Sequence, residues 1–357
     1  MSVADDPQAL EEAVEEVVHP TARRGRRRAL LNLLRACVGV GLALYLISVV
    51  ISRQKVDVWA QTAGSIKWLL LVALSIQLVS ILITTVRWQW LLKVQQIEVS
   101  LHDLLSLTMV GMFFSSVLPG AVGGDVLKMV YIARHAPTRR TEAVLTIMVD
   151  RVIGLLGLLL VALVSVIFSL DFILGANRQV QLATITVGMG SAAGIAGVLA
   201  VMFRRHLTGL PLVSGLIALG RQRLPAGVVH ILDRLVRALD LYRGAPRVIG
   251  AALAISAFTH VLAALTVFLI GRAYHETHLG LWSYFLAAQI ANTVAAIPIT
   301  PAGFGGRDLV LSTFFLAGGA APAEAGIIPV FNTFIILFWS LIGGVFFIFM
   351  RHPRKGP

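Results

Sequence analysis

Six long, mostly apolar runs constrain this chain before anything else does. They cover residues 29–51, 66–92, 141–170, 181–203, 248–271 and 323–350. At about 1.5 Å rise per residue, each is long enough to cross a hydrocarbon core of roughly 30 Å. A segment in lipid must satisfy its backbone polar groups internally, so each run is predicted to be helical. The composition agrees: 57% of residues are hydrophobic and 13% charged, which no soluble domain of this size matches. The predicted fold class is an all-α polytopic membrane protein with about six full transmembrane helices.

The formal net charge of +12 does not point to nucleic acid, because the arginines cluster beside the apolar runs. Arg23 to Arg28 precede the first run, Arg204-Arg205-His206 follow the fourth, and Arg351 to Lys355 follow the last. That placement is topological and suits anionic headgroups. It predicts an integral protein of a bacterial cytoplasmic (inner) membrane with both termini in the cytoplasm. Residues 1–28 and 351–357 read as polar and basic tails, and 29–350 as the integral domain. Within the loop 204–247, Val228, Leu232, Leu235 and Leu239 share one helical face, as in an amphipathic helix lying on the inner leaflet. Cys37, the only cysteine, excludes an intrachain disulfide. No Walker A motif, zinc-ligand spacing or serine-nucleophile elbow occurs, so no cofactor or metal is expected.

Two glycine-rich breaks interrupt the apolar pattern. Pro119-Gly-Ala-Val-Gly-Gly-Asp125 recurs 182 positions later as Pro301-Ala-Gly-Phe-Gly-Gly-Arg307. Each break separates two pieces too short to span: 103–118 and 122–134 in the first case, 282–297 and 306–318 in the second. Charge placement predicts two re-entrant hairpins, the first entering from the cytoplasm and the second from outside. The same offset carries 66–92 onto 248–274 and 141–170 onto 323–352. Repeat halves of about 66–170 and 248–350, each span, hairpin, span, are therefore expected in opposite orientation. Inverted repeats with broken helices are a transporter design whose site lies where the broken ends meet. Pro119, Pro298 and Pro301 are the expected hinges.

Charges within these segments mark the candidate site. A half-helix start preceded by glycine offers free N–H groups and a dipole that favours anions. Gly123, Gly124, Gly305 and Gly306 fill those positions, and Thr300 lies beside the second. Lys128, Arg151 and Arg307 add positive charge, while Asp125, Asp150 and Asp308 either hold these cations or meet an amino group on the ligand. The competing structural readings are an Asp125–Lys128 pair at (i, i+3) spacing, and an ion-pair network around Asp150 that ties helices together. Arg87-Trp88-Gln-Trp90 reads as an interfacial, cytoplasmic end of its span. His260 reads as a packed polar residue, and Asn177 carries no signal.

At these motifs the chain resembles the lysylphosphatidylglycerol synthase transmembrane-domain family, also called the flippase-like domain family. The matching stretches are Pro119 to Asp125 with Lys128, Asp150-Arg151, and Pro298 to Asp308, and the likeness extends over about 30–350. It implies a membrane module that moves lipids between leaflets. Lys128 stands where the family usually has Arg, Ala302 where Gly is common, and Asp308 where Glu is common. A lysine is a point charge rather than a bidentate fork. The chain ends at Pro357, so a soluble aminoacyl-transferring domain is not expected, nor is synthase activity.

These readings combine into a lipid flippase for a phosphate-bearing cargo: an anionic or modified phospholipid, or a polyprenyl-linked lipid. Any lipid-modifying enzyme would be a separate partner. The alternatives are a secondary transporter of a small solute with Asp150 as its ion or proton site, and a membrane subunit or scaffold of an aminoacyl-phospholipid synthase system.

Overall fold

The computed structural model describes residues 62–117, 122–202, 240, 242, 244–297 and 301–349. The first apolar run, both tails and nearly all of the 204–247 loop lie outside them, as do Pro119, Pro298 and Thr300. All regular structure among the described residues is helical. In order come α1 (Lys67–Val94), α2 (Leu101–Val117), α3 (Val122–His135), α4 (Arg140–Phe168), α5 (Leu170–Gly175), α6 (Arg178–Met202), α7 (Pro246–Ala273), α8 (Leu281–Ala296), a 3₁₀ turn (Pro301–Gly303), α9 (Gly306–Ala317) and α10 (Pro322–Phe349). Five of these, α1, α4, α6, α7 and α10, are long and apolar enough to cross a membrane.

Local chemistry sets the helix ends. Ser100 Oγ accepts from the Asp103 N–H at 3.1 Å to cap α2, and Asn177 Oδ1 accepts from Val180 N–H at 3.0 Å to cap α6. Asn177, silent in the sequence, is thus a helix start. α1 and α7 close in the same way. Ile97 N–H reaches Leu92 O at 3.1 Å and Glu276 N–H reaches Gly271 O at 3.0 Å, over left-handed Gln96 and His275. That is the Schellman arrangement, with a residue other than glycine at the left-handed position in both.

The two halves pair by exchange. α1 and α7 run antiparallel: Ile66 N–H donates to Ala273 O at 2.9 Å at one end, and Tyr242 OH to Leu91 O at 3.1 Å at the other. The first helix of each hairpin lies on the last long helix of the opposite half, α2 on α10 and α8 on α4. Ser116 and Ser340 hydroxyls meet at 2.9 Å in the first of these contacts, and Phe168 stacks on Trp282 at 4.5 Å in the second. The ends of each helical hairpin lie together. His135 Nε2 is 3.1 Å from Glu98 O, so α3 finishes where α2 begins. Gly318, just past α9, sits against Leu279, just before α8.

Lipid gives helices little hydrophobic reason to associate, so close packing at small residues carries the load. The tightest case near the charges is Gly124, at the start of α3. A Cβ there would lie 2.0 Å from Gly111 O and 2.5 Å from Ser115 Oγ, both on α2. The matching Gly306 is roomier, its nearest neighbour being Val294 Cγ1 at 3.5 Å. Gly124→Ala is therefore expected to destabilise the protein by about 1–3 kcal/mol, the usual range for overpacking, whereas Gly306→Ala stays under about 1 kcal/mol. Thermal unfolding of both variants in the same detergent checks the contrast.

Candidate functional site

Helix α3 begins at the first glycine break, and its opening turns carry Asp125 and Lys128 on one face. Asp125 does not pair with Lys128. Arg151 of α4 donates from Nη2 to Asp125 Oδ1 at 2.6 Å, and Arg151 Nε lies 2.6 Å from Oδ2 in the same ion pair. This two-point ion pair ties the hairpin to the helix that follows it. The Asp125 side chain is 11% exposed and that of Arg151 55%, so the carboxylate is enclosed while the guanidinium keeps an open side.

The neighbouring Asp150 points about 100° away around α4 and meets a different partner. Arg87 of α1 donates from Nε to Asp150 Oδ1 at 2.8 Å. The interfacial reading of Arg87-Trp88 is corrected here. Arg87 and Trp88 are buried, at 5% and 3% exposure, and Trp88 Nε1 donates to Thr146 Oγ1 at 3.2 Å. α1 runs on to Val94, which puts Arg87 roughly 10 Å inside its end by helix rise. Lys93 and exposed Trp90 mark that end instead. Arg87 had no motif to announce it. The available signal was that Asp150, deep in an apolar helix, needs a cation.

Lys128 completes the cluster. Its stem passes over Gly111, where an added Cβ would lie 2.7 Å from Lys128 Cε. Its ammonium sits 5.3 Å from the centre of the Trp88 ring, a cation–π contact. Lys128 makes no ion pair with a carboxylate among the described residues. The cluster thus holds three cations, Arg87, Lys128 and Arg151, against two carboxylates, Asp125 and Asp150.

The second break builds a related arrangement with different charges. Ala302, Gly303 and Gly305 have φ of 46°, 74° and 81°, in the left-handed region that glycine tolerates best. Ala302, which has a Cβ, carries that strain. Asp308 reaches back from the first turn of α9 to accept the Gly305 N–H at 3.0 Å. Its other oxygen accepts from Thr333 Oγ1 of α10 at 2.7 Å. Arg307 donates from Nη2 to the same hydroxyl at 3.2 Å, its guanidinium lying 5.7 Å from the Phe304 ring centre. The 182-residue offset carries Asp125 onto Arg307 and Arg151 onto Thr333. Both halves thus fasten the hairpin to the last long helix at the same two positions, through an ion pair in one and a guanidinium–hydroxyl bond in the other. No hydrogen bond or ion pair among the described residues joins the two groups.

The model of the family described as lysylphosphatidylglycerol synthase TM region matches residues 34–344. The chain belongs to that family. It is an integral membrane protein, as the family and the five long apolar helices together establish. Among curated proteins it is similar to a UPF0104 membrane protein of Methanothermobacter thermautotrophicus, 21% identical over 278 residues, covering 76% of this chain and 81% of that one. It is also similar to a UPF0104 membrane protein of Pyrococcus horikoshii, 26% identical over 121 residues, covering 31% of this chain and 36% of the relative.

His260 Nε2 lies 3.1 Å from Gly154 O, and its own carbonyl accepts from Gln289 Nε2 at 3.1 Å, so it is a packed polar residue. The Arg87–Asp150 pair makes a sharper prediction. Arg87→Leu leaves Asp150 without its cation and is expected to cost about 3–5 kcal/mol, as does Asp150→Leu, which strands Arg87. The double variant Arg87→Leu/Asp150→Leu is expected to regain most of that loss, and a double-mutant cycle on melting curves measures the coupling.

Proposed function

We propose that this protein moves a phosphate-bearing lipid between leaflets, receiving the headgroup at the first break. The observation that carries the reading is Lys128, a cation inside the helical bundle whose ammonium forms no ion pair with a carboxylate among the described residues and rests on an aromatic face. Beside it, Arg151 keeps an exposed side beyond its bond to Asp125. One surplus positive charge at a half-helix start suits a monoanionic phosphodiester. Gly123, Gly124 and Asp125 form the floor, and Asp150 acts through Arg87 rather than on the cargo. Because Asp150 is engaged by Arg87, it supports the solute-transporter alternative less well.

In this reading the two helical hairpins re-enter the membrane from opposite faces, and the halves form an inverted repeat. The exchanged helix pairing and the antiparallel first spans support that arrangement. The second break, from Pro301 to Asp308, forms the opposite wall, and Pro301 acts as a hinge when one half rocks on the other. The membrane is a bacterial cytoplasmic one with both chain termini inside. Acyl chains stay in lipid, and any headgroup chemistry belongs to a separate enzyme.

The test is a leaflet-accessibility assay in proteoliposomes with fluorescent phosphatidylglycerol as the probe. Lys128→Gln is the cleaner variant because it breaks no ion pair. It is expected to slow transbilayer movement by about tenfold or more, the scale of a lost charged hydrogen bond, and Lys128→Arg is expected to retain it. Wild-type movement in both Lys128→Gln and Arg151→Gln would sink the proposal. Uptake of a soluble solute without lipid movement would replace it with the transporter alternative.

A further inference from the structure

The second break has a feature that lipid binding at the first does not use. Arg307 is 6% exposed, yet its Nε–H has no hydrogen-bond partner among the described residues. It lines a cavity of about 40 Å³ together with Gln77 of α1, Thr266 of α7, Asn292 of α8 and Asn332 of α10. Leaving a guanidinium N–H unpaired and buried is costly, as is pointing carboxamides into an apolar bundle. Gln77, Asn292 and Asn332 make no side-chain hydrogen bond among the described residues, although each reaches this cavity. Thr266 is different, since its hydroxyl donates to Leu262 O at 3.0 Å. Four side chains from four helices therefore converge with unused N–H donors.

Size and charge narrow the occupant. The space takes on the order of two or three water-sized bodies, which suits a small ion better than a phosphodiester headgroup. Asp308, the residue after Arg307, has its carboxylate engaged: its oxygens take the Gly305 N–H and the Thr333 hydroxyl. It is not part of the cavity lining. Arg307 lies in the first turn of α9, so the helix dipole adds to its positive potential. N–H donors, a positive potential and a volume near that of a small ion together define a receptor for a monatomic anion.

We infer that this cavity is a halide site, in which Arg307 Nε–H and the carboxamides of Gln77, Asn292 and Asn332 bind one chloride-sized anion. The ion joins α1 of the first half to α8, α9 and α10 of the second. It is thus an anionic cross-link between halves, separate from the Lys128 cluster and independent of what that cluster transports.

The test uses the purified full chain in detergent, with chloride titrated against gluconate at constant ionic strength. Melting temperature is expected to rise saturably with chloride in wild type, and bromide to replace chloride where inorganic phosphate does not. Asn292→Ala is expected to raise the half-maximal chloride concentration by about tenfold. Arg307→Gln is expected to abolish the response, and Lys128→Gln to keep it even where lipid movement is lost. A flat wild-type response would mean a hydrated cavity only. An undiminished response in Arg307→Gln would put the anion elsewhere. Should Arg307→Gln fail to fold, crystals of wild type grown in bromide decide directly: an anomalous peak within hydrogen-bond distance of Arg307 Nε supports the site, and its absence with bromide bound elsewhere overturns it.

Discussion

The ion pair between Asp125 and Arg151 is the contact on which the charged interior depends. It crosses from the hairpin to the following helix, so it fixes where the glycine break ends and how α3 sits against α4. With α4 held in that rotation, Asp150 faces Arg87 and the hydroxyl of Thr146 faces Trp88. Trp88 in turn supplies the ring on which the Lys128 ammonium rests. Each step is a consequence of helical geometry: adjacent residues 150 and 151 diverge by about 100°, so one helix serves two partners.

Most of the fold was legible because lipid leaves few options. Apolar length marked the spans, and the Pro/Gly breaks placed short helices within a few residues of α2, α3, α8 and α9. The 182-residue offset, drawn from two seven-residue stretches of weak identity, matched positions that make equivalent contacts in the two halves. Helix rotation and helix neighbours were harder. Composition says that a charge is inside, not which way it faces. Arg87 illustrates the limit, since an arginine beside tryptophans near the end of an apolar run has the composition of an interface. Only the continuation of α1 to Val94, and the need of Asp150 for a cation, turn it inward.

The candidate site was legible in its residues and less so in their pairings. Asp125, Lys128, Asp150 and Arg151 do come together, as the half-helix start and the depth of Asp150 implied. Asp125 and Lys128, however, share a face without sharing a bond, because a guanidinium on the next helix outcompetes an ammonium for two carboxylate oxygens. Arg307 and Asp308 lie in a second group. The polar side chains around them, Gln77, Asn292 and Asn332, gave no signal in one dimension. Carboxamides are common in helices, and only the fold brings these from three helices to one cavity.

The equivalence of the two fastenings has a consequence for energy. Asp125 with Arg151 joins opposite full charges, whereas Arg307 with Thr333 joins a full charge to a dipole. Two identical halves related by a two-fold axis in the membrane plane would give inward-open and outward-open states of equal free energy, one the rotated copy of the other. These halves are unlike at the very joints that a rocking motion would load. If the halves rock as proposed, the two states differ in free energy and the protein has a built-in resting side, set by the chemistry of the joints rather than by the direction in which the chain is inserted.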